Sequence, residues 1–170
     1  MLPIYGGDEE LIVNGYIDAS FMTDIDDYKS QSGYVFTING GAVLWKSLKQ
    51  NNVANCTMEA EYIAASEASK EAFWIKKFLE EIDVVPSVMN QMVLYCYNSG
   101  GIAQAKEPRS HMKTKHIERK YHIIRQYVEK GYVNILKIHT NLNVLDPMMK
   151  ALPRAKHEKH RIAIGVKETM

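Results

Sequence analysis

The stretch from Thr57 to Ile82 constrains the fold most. Ala65, Ala68, Ala72, Ile75, Leu79 and Ile82 follow a 3-4-3-4-3 spacing, which is one face of a long helix. The early residues of that stripe are alanines, so the helix can lie close against a sheet. Before it the pattern is that of strands. Leu11 to Ile17 is a β-type run ending at Asp18, Gly33 to Ile38 is a second, and Ala42 to Trp45 is a third. Asn39-Gly40-Gly41 is a hairpin turn signal between the last two. Asp24 to Gly33 is polar and reads as a turn.

After the helix and Pro86, Met92 to Cys96 is a short apolar run suited to a buried strand. Asn98 to Gly101 leads into a short helix that stops near Pro108. Thr114 to Glu129 reads as a second long helix with Ile117, Tyr121, Ile124 and Val128 on one face and Gly131 as its C-cap. Tyr132 to Ile138 reads as the fifth strand. A helical patch near Val144 to Ala151 and a basic helix after Pro153 complete the chain. This order predicts an α/β fold with a five-stranded mixed sheet, three antiparallel strands then two parallel, and helices on both faces. Residues 1–152 read as one domain and 153–170 as a basic C-terminal helix or tail.

Hydrophobic residues at 46% and charged residues at 24% exclude disordered and collagen-like classes. No run of 18 apolar residues occurs, so no membrane partner is expected. Met1 to Glu10 has no apolar signal region, which points to an intracellular chain, not a secreted one, with Cys56 and Cys96 as free thiols. Cytoplasm and nucleus are not distinguished. The net charge of +1 is unevenly spread. Residues 8–27 hold seven acids and no Lys or Arg, whereas residues 106–130 hold eight Lys or Arg against three Glu. Carboxylates that hold cations and basic residues that hold phosphates suit a metal-dependent enzyme acting on a polyanion.

Three segments aim an acid at one end of such a sheet. Asp18 ends the first strand. Glu61 lies four residues before Ala65 and so continues the buried stripe, whereas Glu59 lies roughly 200° from it round the helix and is expected to face solvent. Asp146 opens the late helical patch. Convergent carboxylates of this kind could hold two hard cations, Mg²⁺ or Mn²⁺, a standard device for phosphodiester hydrolysis. No short motif links the three. The six histidines lack paired ligand spacing for zinc. His139, on the loop before Asp146, is an auxiliary candidate for proton movement.

The chain also carries longer blocks. Gly15-Tyr16-Ile17-Asp18-Ala19, Asp27-Tyr28-Lys29-Ser30-Gln31-Ser32-Gly33-Tyr34-Val35-Phe36, Trp45-Lys46-Ser47-Leu48-Lys49-Gln50 and Glu59-Ala60-Glu61-Tyr62-Ile63-Ala64 fall in order, followed by Lys115-His116-Ile117 and Tyr121-His122-Ile123-Ile124-Arg125. Together they resemble the ribonuclease H domain of copia-type (Pseudoviridae-like) LTR retrotransposon polyproteins over nearly the whole chain. The resemblance implies an RNase H-like fold and two-metal cleavage of the RNA strand of RNA–DNA hybrids, with the polyprotein's reverse transcriptase as a partner. It places the family's first, second and fourth metal-binding acids on Asp18, Glu61 and Asp146. The third belongs in a block written L-Y-C-D-N, which here reads Leu94-Tyr95-Cys96-Tyr97-Asn98.

Tyr97 therefore stands where the family has an aspartate. A phenol is neutral at pH 7, so one metal site is expected to lose a charge and a ligand, and catalysis to be impaired. Asn98 could offer only a neutral oxygen. Ser20, Phe21 and Met148-Met149 also depart from the family's pattern. Lys46, Lys49, Lys113, Arg119 and Lys120 are candidate nucleic-acid contacts, where a hybrid would be recognised by shape and backbone. The alternatives to a weakened enzyme are a hybrid-binding module without catalysis and an inert relic of a decayed element.

Overall fold

The computed structural model describes residues 2–3, 11–24, 26–83, 90–97 and 115–167, of which 2–3, 115–121 and 167 by backbone alone. The strands are β1 (Leu2–Pro3), β2 (Val13–Ser20), β3 (Gln31–Ile38), β4 (Gly41–Lys49), β5 (Met92–Cys96), β6 (Val133–Lys137) and β7 (Val166–Lys167). The helices are α1 (Thr57–Ile82), α2 (Lys115–Glu129), α3 (Asp146–Met149) and α4 (Arg154–Ala163). The expected short helix before Pro108 lies outside the described residues.

Five strands form one mixed sheet in the order β4-β3-β2-β5-β6. The β2–β3 and β3–β4 pairs are antiparallel, whereas β2–β5 and β5–β6 are parallel. The β3–β4 hairpin turns where the sequence indicates. Asn39 and Gly40 both have positive φ, 46° and 79°, as a turn matching strand twist requires. Asn39 also ties the turn to the preceding segment, its Oδ1 accepting from the Ile12 N–H at 2.7 Å.

On one face, α1 and α2 cover a core of Ile17, Tyr34, Phe36, Tyr62, Leu94, Ile124 and Ile135. Ala64, Ala68 and Ala72 of α1 are fully buried, so the alanine stripe does bring the helix close to the sheet. The other face carries a smaller core of Val35, Ala42, Val144, Leu145 and Met149, closed by α3. The ends of the described chain meet in a two-stranded sheet, with β1 antiparallel to β7. The segment after α4 is joined to the main sheet by the Ala42 N–H, which donates to the Ile164 carbonyl at 3.0 Å. Among the described residues no helix is long and apolar enough to cross a membrane.

Three expectations need correction. Asp18 does not end its strand, because pairing with β3 continues through Ala19 and Ser20, and it sits opposite Gly33. Strand β4 likewise runs on to Lys49, since an edge strand can keep its ladder while its polar side chains face water. Glu59 does not face solvent but is 3% exposed. It stands in the first turn of α1 and reaches back, Oε2 accepting from the Asn55 N–H at 2.8 Å and Asn55 Nδ2 at 2.9 Å. The unsatisfied donors at a helix start draw this carboxylate inward.

Gly33 sets how α3 meets the sheet. A Cβ there would strike Met149 Sδ and press on Leu145. The missing side chain lets the segment carrying Asp146 settle over the strand beside Asp18. Gly33→Val is expected to destabilise the protein by about 1–3 kcal/mol through overpacking. An unchanged urea midpoint would show that α3 moves aside at no cost.

Candidate active site

Asp18 projects from β2 on the face covered by α3. Its Oδ1 accepts from the Ala19 N–H at 3.0 Å. Burial, and then the charge of Asp146, push its pKa from 3.8 up to about 6, against the opposing pull of Lys150 and the Ala19 N–H.

Glu61 is 3% exposed on the first turns of α1. The thiol of Cys96, on β5, donates to Glu61 Oε2 at 3.7 Å. The Ala19 N–H also bonds Glu61. Burial, then the charge of Asp18, raise the Glu61 pKa from 4.5 to about 8. Glu61 thus senses Asp18, and Asp18 senses Asp146.

Asp146 begins α3 and is 1% exposed. It is held by two ammonium groups, Lys150 Nζ at 2.9 Å from Oδ1 and Lys156 Nζ at 2.8 Å from Oδ2. Burial pushes its pKa up, but the ammonium groups of Lys156 and Lys150 outweigh this and hold it below the ordinary value. Asn143 places the segment. Its Nδ2 donates to the Ile17 carbonyl at 3.0 Å, next to Asp18, and its Oδ1 accepts from the Leu145 N–H at 3.2 Å. Among the described residues, no three His, Cys, Asp or Glu side chains stand close enough to hold one ion.

Tyr97 follows β5 and is 49% exposed. The last paired residues of β2 and β5 are Ile17 and Cys96, so Tyr97 continues alongside Asp18. Contact with Asp146 raises the Lys150 pKa, and the charge of Asp18 adds to this.

The other candidates are dispersed. Lys46 is exposed on edge strand β4. Lys49 is engaged by Asp24 at 2.6 Å and Asp27 at 3.2 Å, pinning the β2–β3 turn. His139 is exposed, and its Nδ1 accepts from the Asn141 N–H at 3.2 Å, capping the short 3-10 turn Thr140–Leu142. Arg119 and Lys120 lie on α2, described by backbone alone, while Lys113 and Asn98 lie outside the described residues.

Sequence reasoning overlooked Cys96, Asn143, Lys150 and Lys156. The spacing of Lys150, four residues after Asp146, was the one local signal available. Nothing local pairs residue 61 with 96 or 143 with 17.

No family model matches the chain. It is 42% identical over 162 residues to the retrovirus-related Pol polyprotein from transposon TNT 1-94 of Nicotiana tabacum, covering 95% of this chain and 12% of that one. Pol polyproteins of copia-type transposons are among its homologues. A second, from transposon RE2 of Arabidopsis thaliana, is 32% identical over 156 residues, covering 92% of this chain and 11% of its own. The chain therefore spans about 12% of the length of these Pol relatives. Among solved structures, LC11-RNase H1 in complex with RNA/DNA hybrid superposes with a TM-score of 0.57 at 14% identity, covering 81% of this chain and 92% of that one. At that identity the likeness concerns the fold: the chain has an RNase H-like fold, and its sequence is similar to a short part of copia-type Pol polyproteins.

Proposed function

We propose that this chain is a ribonuclease H domain that hydrolyses the RNA strand of RNA–DNA hybrids with Mg²⁺ or Mn²⁺, and that Tyr97 weakens it. The observation that carries this reading is the buried Asp18–Glu61 pair. Two buried carboxylates, both pushed up by burial and Glu61 further by the charge of Asp18, form an excess of negative charge built from hard oxygen donors, which suits a hard divalent cation. Bound there, such an ion would supply charge neutralisation and an activated water.

The protein's own groups do the positioning. Ala19 N–H and the Cys96 thiol orient Glu61, Ala19 N–H also steadies Asp18, and Asn143 sets Asp146 beside them. Lys46, with Lys113, Arg119 and Lys120, would meet the phosphates of the hybrid. The reverse transcriptase part of a Pol polyprotein is the partner that this reading implies.

A second reading, a hybrid-binding module without catalysis, is favoured by Tyr97 and by the lysine-paired Asp146. Incubation of a labelled hybrid with Mg²⁺ or Mn²⁺ separates the two. Slow cleavage that disappears in Asp18→Asn and Glu61→Gln supports the enzyme. Binding without cleavage supports the module, and its affinity is expected to fall steeply with salt as phosphate contacts are lost. A chain that neither binds nor cleaves the hybrid refutes both.

A further inference from the structure

We infer that Lys150 and Lys156 are the resident cations of Asp146, and that a divalent ion reaches this carboxylate only by displacing Lys150. The inference rests on the reading of Asp18 and Glu61 as metal-binding acids, and concerns what the third acid does beside them. Asp146 is 1% exposed, and a carboxylate so buried is strongly disfavoured as a charge without a partner. The two lysines satisfy that need from within the chain.

They are not equivalent. Lys156 Nζ makes a hydrogen bond of good geometry to Oδ2 at 2.8 Å, and its side chain is 31% exposed. Lys150 Nζ lies 2.9 Å from Oδ1, yet Oδ1 has no well-directed hydrogen bond. Its side chain is 49% exposed, so it can swing into water. Oδ1 is therefore the oxygen held by charge alone, and Lys150 is the lysine that can leave.

Its location gives the displacement a consequence. Lys150 lies in the field of Asp146 and Asp18 together. An ion bound at Asp146 Oδ1 would have to occupy the space that this ammonium now fills. Tyr97 adds no negative charge there to favour an incoming cation over the lysine. The first divalent ion is thus directed to Asp18 and Glu61, and the second competes with a tethered ammonium.

The test is Mn²⁺ binding to the whole chain, read by the loss of the free-ion paramagnetic resonance signal and by calorimetry. The unmodified chain is expected to take up one ion, with a second only at much higher concentration. Lys150→Met, which alters a half-exposed side chain, is expected to tighten the second site at least about tenfold. Lys150→Gln is expected to do the same while keeping length and polarity. Adding Asp146→Asn to either is expected to abolish the gain. Unchanged or weaker Mn²⁺ binding in both Lys150 variants overturns the inference, as does a pair of ions bound equally tightly by the unmodified chain. Mn²⁺ binding that survives Asp18→Asn overturns the underlying reading of the acids, and no binding by any variant overturns both.

Discussion

Tyr97→Asp is expected to raise the rate of RNA cleavage in a hybrid by roughly a hundredfold with Mg²⁺ or Mn²⁺, about 3 kcal/mol of transition-state stabilisation. Tyr97 continues β5 beside Asp18. A phenol there supplies bulk without charge, whereas a carboxylate supplies both a ligand and an alternative partner for Lys150. Freed from the Oδ1 of Asp146, that lysine would no longer oppose a metal ion. Single-turnover cleavage of a labelled hybrid measures the effect. Equal rates in the two proteins would show that Tyr97 does not limit the reaction, and rapid cleavage by the unmodified chain would refute impairment altogether.

In metal-free buffer the protein is expected to lose stability as pH rises from about 4 to about 8. Asp18 and Glu61 have folded-state pKa values of about 6 and about 8, above the ordinary 3.8 and 4.5. The folded state therefore keeps protons that the unfolded chain has already released, so unfolding is favoured as pH climbs through this window. Below the ordinary values both states are protonated and the effect vanishes. Above about 8 the loss is complete and stays constant. At about 1.4 kcal/mol per pKa unit, the two raised values together correspond to a loss on the order of 8 kcal/mol. Asp146 works in the opposite sense, since its lowered pKa adds stability that is lost as pH falls through the acid range. Thermal unfolding at pH 5, 7 and 9 with EDTA reads the slope. The double variant Asp18→Asn, Glu61→Gln is expected to flatten it and to melt higher than the parent at pH 9. Millimolar Mg²⁺ is expected to raise the parent's midpoint at pH 9 and leave that of the double variant unmoved, because only the charged folded site binds it. A parent midpoint independent of pH would show that these acids are not buried together.

Much of the fold is legible in local pattern because periodicity records which face of an element is covered. The alanine stripe of α1 and the Asn39-Gly40 turn each follow from residues within a few positions of one another, and the structure returns both. The same stripe picks out Glu61 as an inward-facing acid, and the residue blocks single out Asp18, Asp146 and the anomalous Tyr97. Whether an acid is free or already paired is another matter. The thiol that meets Glu61 comes from a strand 35 residues away, and the amide that anchors the Asp146 segment reaches a carbonyl 126 residues away. Glu59 turns inward although helical geometry points it outward, because unsatisfied donors ahead of α1 attract it. Lys49 reads as a free phosphate contact until the β2–β3 turn brings Asp24 and Asp27 against it. Sequence by itself determined which carboxylates the chain carries and which elements present them. Only the tertiary structure decided that two of those acids compete for protons while the third is neutralised by lysines, since charge pairing depends on distances across elements that no local spacing encodes.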